Sequence, residues 1–394
     1  MSVIRPRAIA LWLHRWSGLA MAAFLVVAGL TGTVIAFGEE LDAWLNTDLF
    51  AAPAGGGDIL PAVQLAARVE QADPHIRVRD LPLAPEAGAA LVLGVAPRID
   101  PATGRPWRLD FNQVFVDPAT GAVIGRRSTA PLGLDRRHLV GTIRALHVSL
   151  LAGPAGRAFL GGVAIVWTIN CLLGVWLTLP HAPPILAGWL RSWRIRRGGG
   201  TRLVLDLHRA GALWFWVVLL ALAVSSVHLG LYQQVFRPLV RLFSPLTPSL
   251  AERGAPRLRA TPAEPHLDLG EAVAAAERES AAHGWGVVPA RIRSLPAYGV
   301  YSVSLTPDGE DDPPGLGAIR LFIDDSDGHL VTALVPGEGT AGDVFLQLQY
   351  PLHSGEIAGL RGRIVIACAG VVVAMLSVTG VLLWWRKRRP ISRP

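Results

Sequence analysis

The sequence predicts an α-helical membrane protein: a four-transmembrane-helix bundle made by a parallel tandem repeat, carrying two small α+β domains outside the membrane. Three observations predict it. Four apolar runs, roughly 12–37, 157–179, 209–232 and 363–385, reach the ~20 residues that a bilayer crossing needs. The mean hydropathy of +0.39 is too high for a soluble chain of 394 residues. The stretch LHVSLLAGPAGR at 146–157 returns as LHSGEIAGLRGR at 352–363, with Gly, Gly and Arg six, nine and ten residues after the histidine in both copies.

The net charge of +7 is unevenly placed. Arg5 and Arg7 precede the first span. Arg191, Arg194, Arg196, Arg197 and Arg202 lie between the second and third, and Arg386, Lys387, Arg388 and Arg389 follow the fourth. These segments contain no Asp or Glu, so the positive-inside rule puts both termini and the 180–205 loop on the cytoplasmic side. The long polar segments, roughly 38–150 and 233–358, then face outward. The basic runs read as topology signals, and with no aromatic interleaving they exclude a nucleic-acid partner. The lipid bilayer is the first partner the sequence implies.

The elements follow in order. Residues 1–37 hold the N-terminus and first span, whose apolar run is too long for a cleaved signal core despite Val34-Ile35-Ala36. Its Gly18, Ala22, Gly29 and Gly32 suit close helix approach. Residues 38–145 form the first outer domain, with an amphipathic helix at 59–72 stopped by Pro74 and β-rich runs at 76–80, 90–96, 112–117 and 122–126. Residues 146–180 hold the His/Gly segment and second span, and 181–206 a Pro-, Arg- and Gly-rich linker. The third span, 207–233, opens with LHRAGAL, matching LHRWSGL of the first. Residues 234–351 form the second outer domain, with a helix at 268–283 and strands near 298–305 and 318–324. There LFIDDSDGHLV repeats VFVDPATGAVI, the Asp-to-Gly turn falling in the same place. Residues 352–386 repeat the second span and 387–394 are a cytoplasmic tail. Cys171 and Cys368 lie inside spans at different depths, so no disulfide is expected.

A histidine at the edge of a span is costly without a partner, so it is a candidate functional residue. His14 and His208 fall at the cytoplasmic ends of spans one and three; His147 and His353 fall at the outer ends of spans two and four. Two imidazoles facing one another across a bundle can supply both axial ligands of a haem iron. The competing reading is headgroup anchoring by His-Arg pairs. Zinc is disfavoured because no Cys or carboxylate stands beside these histidines. Arg15, Arg209, Arg157 and Arg363 are candidate partners for haem propionates. His228, about 30 Å up the helix from His208, is a candidate extra outer-site residue, and its counterpart in span one is Val34. His138 is read as a loop residue. No hydrolase motif, P-loop or dinucleotide fingerprint is present, so an electron donor must be another molecule.

These motifs together, LHRWSGL with AGLTG, LHVSLLAGPAGR, LHRAGALW and LHSGEIAGLRGR, resemble the PepSY-associated transmembrane (PepSY-TM) family over nearly the whole chain. The two Asp-Gly hairpins resemble the end of a PepSY domain. The family includes iron-regulated membrane proteins and ferric-siderophore reductases of bacterial inner membranes. The resemblance implies a di-haem b-type cytochrome carrying electrons to a periplasmic ferric complex, with His14, His147, His208 and His353 on the family's pattern. The implied partners are an Fe(III)-siderophore or other ferric chelate and a cytoplasmic or quinol electron donor. Ser225-Ser226-Val227-His228 departs from the LTG of span one. Two alternatives stand beside this: a non-enzymatic membrane protein whose PepSY modules bind or inhibit a peptide or protease, and a haem-handling protein.

Overall fold

The computed structural model describes residues 6–53, 58–196, 198–252, 265–311 and 313–388. Arg5, Arg197 and Arg389 of the topology argument lie outside the described residues. Twelve helices run in chain order as α1 (Pro6–Ile35), α2 (Gly38–Leu45), α3 (Thr47–Phe50), α4 (Ala62–Ala72), α5 (Leu139–Ser149), α6 (Gly153–Thr178), α7 (Ile185–Leu190), α8 (Gly200–Leu231), α9 (Arg237–Arg241), α10 (Leu269–His283), α11 (Ala341–Ser354) and α12 (Gly359–Arg388). Four strands, β1 (Ile76–Pro82), β2 (Leu91–Pro97), β3 (Gln113–Val116) and β4 (Val123–Arg127), lie between α4 and α5. Four more, β5 (Val288–Leu295), β6 (Val300–Thr306), β7 (Ile319–Asp324) and β8 (Leu330–Leu334), lie between α10 and α11. The chain divides into a helical unit (to Gly38, Thr142–Ser244 and from Phe345) and a sheet unit (Glu39–Gly141 and Pro245–Val344).

In the helical unit, α1, α6, α8 with its continuation to Arg241, and α12 are each long and apolar enough to cross a membrane. Helix α1 packs on α12 and α6, and α8 packs on α6 and α12. So α1 and α8 occupy one diagonal of a four-helix bundle and α6 and α12 the other. Apolar side chains such as Ile169, Val217 and Val371 point outward from it, as a lipid environment requires. Two contacts depend on missing side chains. A Cβ on Gly29 would come 3.3 Å from Val373 Cβ and overlap nearby α12 backbone at Gly370, and one on Gly161 would lie 2.6 Å from Leu231 Cγ. Thr33 Oγ1 adds a 2.9 Å bond across to the Ala367 carbonyl. The linker after α6 is more ordered than its composition suggests. It folds into α7 and a 3₁₀ turn, Trp189 Nε1 donating to Thr178 Oγ1 (2.9 Å) and Trp214 Nε1 to the Trp193 carbonyl (3.0 Å).

In the sheet unit, the strands form one antiparallel sheet of eight, in the order β4-β3-β2-β1-β5-β6-β7-β8. Helices α4 and α10 cover one face, burying Leu65, Val69, Ala272 and Ala276 against Ile76, Leu93, Ile292, Val303 and Leu321. The segments read from sequence as separate α+β domains therefore share one core and one sheet. The join is β1 on β5, with Asp80 opposite Arg293 and Leu81 opposite Ile292. Arg291 grips Asp80 through Nε (2.6 Å) and Nη2 (3.0 Å), and Arg293 Nη2 reaches it at 3.1 Å. Strand β5 was not expected, because Pro289, Arg291 and Arg293 interrupt its apolar alternation. The two Asp-Gly turns are built alike: Asp117 Oδ1 accepts from the Ala119 amide (2.9 Å) and Asp324 Oδ1 from the Ser326 amide (2.8 Å), with Gly121 and Gly328 at φ +77° and +78°.

Candidate functional site

The repeated His/Gly motif is a backbone device. Helix α5 ends just after His147 and α11 just after His353. Gly153 and Gly359, six residues on, begin α6 and α12 at φ +57° and +55°, the left-handed region that glycine adopts without strain. At Gly156 a Cβ would overlap the Ser149 carbonyl, and at Gly362 the Gly355 carbonyl, which holds the same place in the other copy. The glycines thus fold the chain back so tightly that each histidine is carried against the bundle. There the rings of His147 and His353 lie 6.2 Å apart, centroid to centroid.

The other pair needs no turn. His14 lies on α1 and His208 on α8, across the bundle diagonal, with centroids 6.3 Å apart. Each ring rests on a glycine of the neighbouring span: a Cβ on Gly174 would be 3.3 Å from His14 Cε1, and one on Gly380 would be 3.3 Å from His208 Cε1. His147 rests likewise on Gly32, whose Cβ would be 3.0 Å away. Gly32 follows His14 by 18 residues on α1, so the two pairs are separated by about 27 Å of helix.

Nδ1 of three rings is committed. His147 Nδ1 lies 3.0 Å from the Ala28 carbonyl and 3.1 Å from Thr31 Oγ1. His208 Nδ1 lies 3.0 Å from both the Leu376 carbonyl and Thr379 Oγ1. His353 Nδ1 lies 3.0 Å from Ser225 Oγ. Each hydroxyl donates its own hydrogen to a backbone carbonyl of its helix: Thr31 to Val27 (2.6 Å), Thr379 to Met375 (2.7 Å) and Ser225 to Leu222 (3.1 Å). The oxygen is then the acceptor and the imidazole the donor, which fixes the proton on Nδ1. Nε2 of these rings makes no hydrogen bond among the described residues and is left free to act as a ligand atom.

The residues fit a haem iron between each pair. Two imidazoles bound in line to one metal through bonds of about 2 Å have centroids about 6 Å apart, which is the spacing found at both ends. Every hydrogen-bond partner of the three rings is neutral, so the donor set is two imidazoles and no anion. The metal-ligand cluster found elsewhere among the described residues, the buried Asp324 with the exposed Asp327 and His329, is a turn whose carboxylates already bond to that turn.

The arginines do not share one role. Arg15 and Arg157 are exposed, with no side-chain partner among the described residues, and fit a propionate contact. Arg209 Nη2 is held by the buried Asp206 at 2.8 Å, and Arg363 Nε donates to the Ala36 carbonyl at 2.8 Å with its guanidinium over Phe37. Those two serve helix ends. His228 is outside both pairs. Its ring meets Tyr232 and Phe236 edge-on at 4.9 and 5.1 Å, on the π-helical turn that extends α8, and its Nδ1 is buried without a partner. His138 pairs with Asp135 at 2.8 Å. Thr31, Ser225 and Thr379 escaped sequence reasoning as site residues. The signal was present in part, since Ser225 stands where Thr31 stands in LTG, so the departure in span three keeps the hydroxyl.

No curated protein matches the chain. The family model described as the PepSY-associated TM region matches residues 11–387, a span that covers all but the ends of the four long helices and includes all four paired histidines, and the chain belongs to that family.

Proposed function

We propose that this protein is a di-haem b-type cytochrome of the bacterial inner membrane that passes electrons across the bilayer and reduces a ferric chelate, of the siderophore type, on the periplasmic side. The observation that carries this reading is the pair of facing histidine pairs, one at each end of the bundle, with 6.3 and 6.2 Å between centroids. In this reading His14 and His208 hold the inner haem and His147 and His353 the outer one. The correspondence of the two halves reflects a parallel tandem duplication. The basic residues around Arg7, Arg191 and Arg386 mark the His14/His208 end as cytoplasmic, with both termini there.

Bound haem would supply a one-electron Fe(III)/Fe(II) couple at each end. The chain's own residues do the rest. Thr31, Ser225 and Thr379 hold the imidazoles with Nδ1 protonated and Nε2 presented. The apolar walls of α1, α6, α8 and α12 keep water from the two sites, and Arg15 and Arg157 are free to pair with propionates. Each ferric ion reduced takes one electron from a donor on the inner side, a quinol or a cytoplasmic reductant. Hard oxygen ligands hold Fe(II) less well than Fe(III), so reduction favours iron release.

The test is direct. Purified full-length protein is expected to be red, with two haems per chain and a reducible b-type spectrum. Adding an Fe(III)-siderophore to the dithionite-free reduced protein is expected to restore the oxidised spectrum. Protein that stays colourless with added haem would overturn the reading. Stable haem that no ferric chelate reoxidises would point instead to haem handling.

A further inference from the structure

Three of the four paired histidines bond a hydroxyl at Nδ1, and the fourth does not. His14 Nδ1 is buried with no hydrogen-bond partner. The cause lies in one turn of α6. His14 sits on Gly174 as His208 sits on Gly380, at the same 3.3 Å. One residue before those glycines the sequence differs: α12 has Thr379, which serves His208, and α6 has Leu173 in the hydroxyl's place. Three residues earlier it differs again, Asn170 standing where α12 has Leu376. Asn170 is 8% exposed in an apolar bundle, lies against His14, and its Oδ1 is also buried without a partner. Room for it comes from Gly18, where a Cβ would be 3.4 Å from the Asn170 Nδ2. So His14 Nδ1 and Asn170 Oδ1, two buried polar atoms that each lack a well-formed hydrogen bond, are neighbours, and the Asn170 carbonyl, counterpart of the Leu376 carbonyl that serves His208, lies beside the same ring. Burying either alone is unfavourable, and a small turn of the amide satisfies both.

We propose that Asn170 is the positioning residue of His14: its Oδ1 accepts Nδ1–H and so presents Nε2 to the metal, replacing the hydroxyl used at the other three rings. This rests on the di-haem reading. It makes the two axial ligands of the inner site unequal, with a side-chain amide behind His14 where His208 has a hydroxyl. A bond to Nδ1–H raises imidazole basicity and favours ferric over ferrous iron.

The experiment is a redox titration of haem-loaded full-length protein, followed by absorbance and by low-temperature electron paramagnetic resonance. Asn170→Leu should shift only the haem that His14→Ala removes. Its Fe(III)-to-Fe(II) preference should fall about tenfold, raising its midpoint potential by about 59 mV, with changed low-spin g-values. Loss of that haem alone would support the proposal equally. Adding Leu173→Thr, which copies α12, should restore both readouts. If Asn170→Leu does not accumulate, Asn170→Asp should shift the same haem the opposite way. Unchanged potentials and g-values in a two-haem Asn170 variant, or a shift at the outer haem, would overturn the proposal and leave the di-haem reading standing. A wild-type chain that takes up no haem would overturn both.

Discussion

The His147/His353 pair and the His14/His208 pair, called outer and inner in the proposed reading, lie about 27 Å of helix apart in one bundle, but they differ in how far the halves of the chain agree. At the outer pair, both rings arrive on the same glycine-dependent turn, and both bond a hydroxyl from the span beside them, Thr31 in one half and Ser225 in the other. At the inner pair, the rings sit on matching glycines, yet only His208 has a hydroxyl and a carbonyl at Nδ1. The sheet unit shows the same contrast. The two Asp-Gly turns match in detail, whereas the sheet face away from α4 and α10 is treated differently. Over β3 and β4 that face is closed by α2 and α3, through Phe50 on Phe115 (5.1 Å), Leu49 over Gly125, and Asp42 bound to Arg127 at 2.8 and 2.7 Å. Over β5, β6 and β7 it carries a cavity of about 250 Å³ lined by Arg291, Arg293, Ser302, Ser304, Arg320 and Phe322. The lesson is that the same backbone devices occur at corresponding places in both halves, while the side chains they present differ.

The largest expected effect separates the pairs outright. His353→Ala should lower haem content from two per chain to one and spare the inner haem; His14→Ala should do the reverse. Pyridine haemochrome content with the spectra of both variants measures this. One variant that removes both haems would show that the sites are not independent. Next in size is the closed face of the sheet. Asp42→Ala leaves the buried Arg127 guanidinium without its carboxylate, an uncompensated charge costing about 3–5 kcal/mol. Thermal unfolding of the sheet unit should fall sharply in that variant. Asp80→Ala should cost less, because Arg291 keeps Asp311 and Arg293 is half exposed.

A smaller effect tests the equality of the outer pair. Thr31→Ala and Ser225→Ala each remove one neutral acceptor from a histidine, worth about 0.5–1.5 kcal/mol. Both variants should weaken outer-haem retention and leave the inner haem alone. His147 keeps the Ala28 carbonyl after Thr31→Ala, while His353 has no second bond to Nδ1, so Ser225→Ala should be the more damaging of the two. Haem loss to excess apomyoglobin measures the ranking, and the opposite order would contradict it.

Much of this was legible in the sequence, for physical reasons. Apolar runs of membrane length must be helices that satisfy their own backbone, so the four spans could be read directly. The histidines stand at matching places in the two halves, so depth and symmetry paired them, and His14 and His208 do face one another, as do His147 and His353. What the glycines were for was not legible, because the clash at Gly156 is with Ser149, through a turn that periodicity cannot describe. The arginines misled for a similar reason. Arg209 and Arg363 share sequence positions with Arg15 and Arg157, but Asp206 and the Ala36 carbonyl claim them, and both partners depend on local packing. The single sheet was hidden because its joining strands are more than 200 residues apart in the chain, the Asp80–Arg291 separation being 211. Strand β5 itself shows no clean apolar alternation, since its open face carries Arg291 and Arg293.

The smallest expected effect lies at that join. Burial pushes the Asp80 carboxyl up, but the hydrogen bonds and charge of Arg291, with those of Arg293, outweigh it and hold the group below its usual value of 3.8. A carboxylate lowered in the folded state binds fewer protons than in the unfolded state, so it stabilises the fold above the unfolded pKa of about 3.9. That contribution disappears as pH falls through the lower folded value. The β1–β5 join should therefore be insensitive to pH above about 5 and weaken below about 4. Hydrogen exchange at the Leu81 and Ile292 amides, measured from pH 5 to 3, reads this out once corrected for intrinsic rates. Asp80→Asn should flatten the acid limb at the join without altering exchange at the Phe115 and Phe50 contact, which the Asp42–Arg127 pair guards. An equal acid response at both places would mean that the sheet opens as a whole, and that the two halves differ in their side chains but not in their stability.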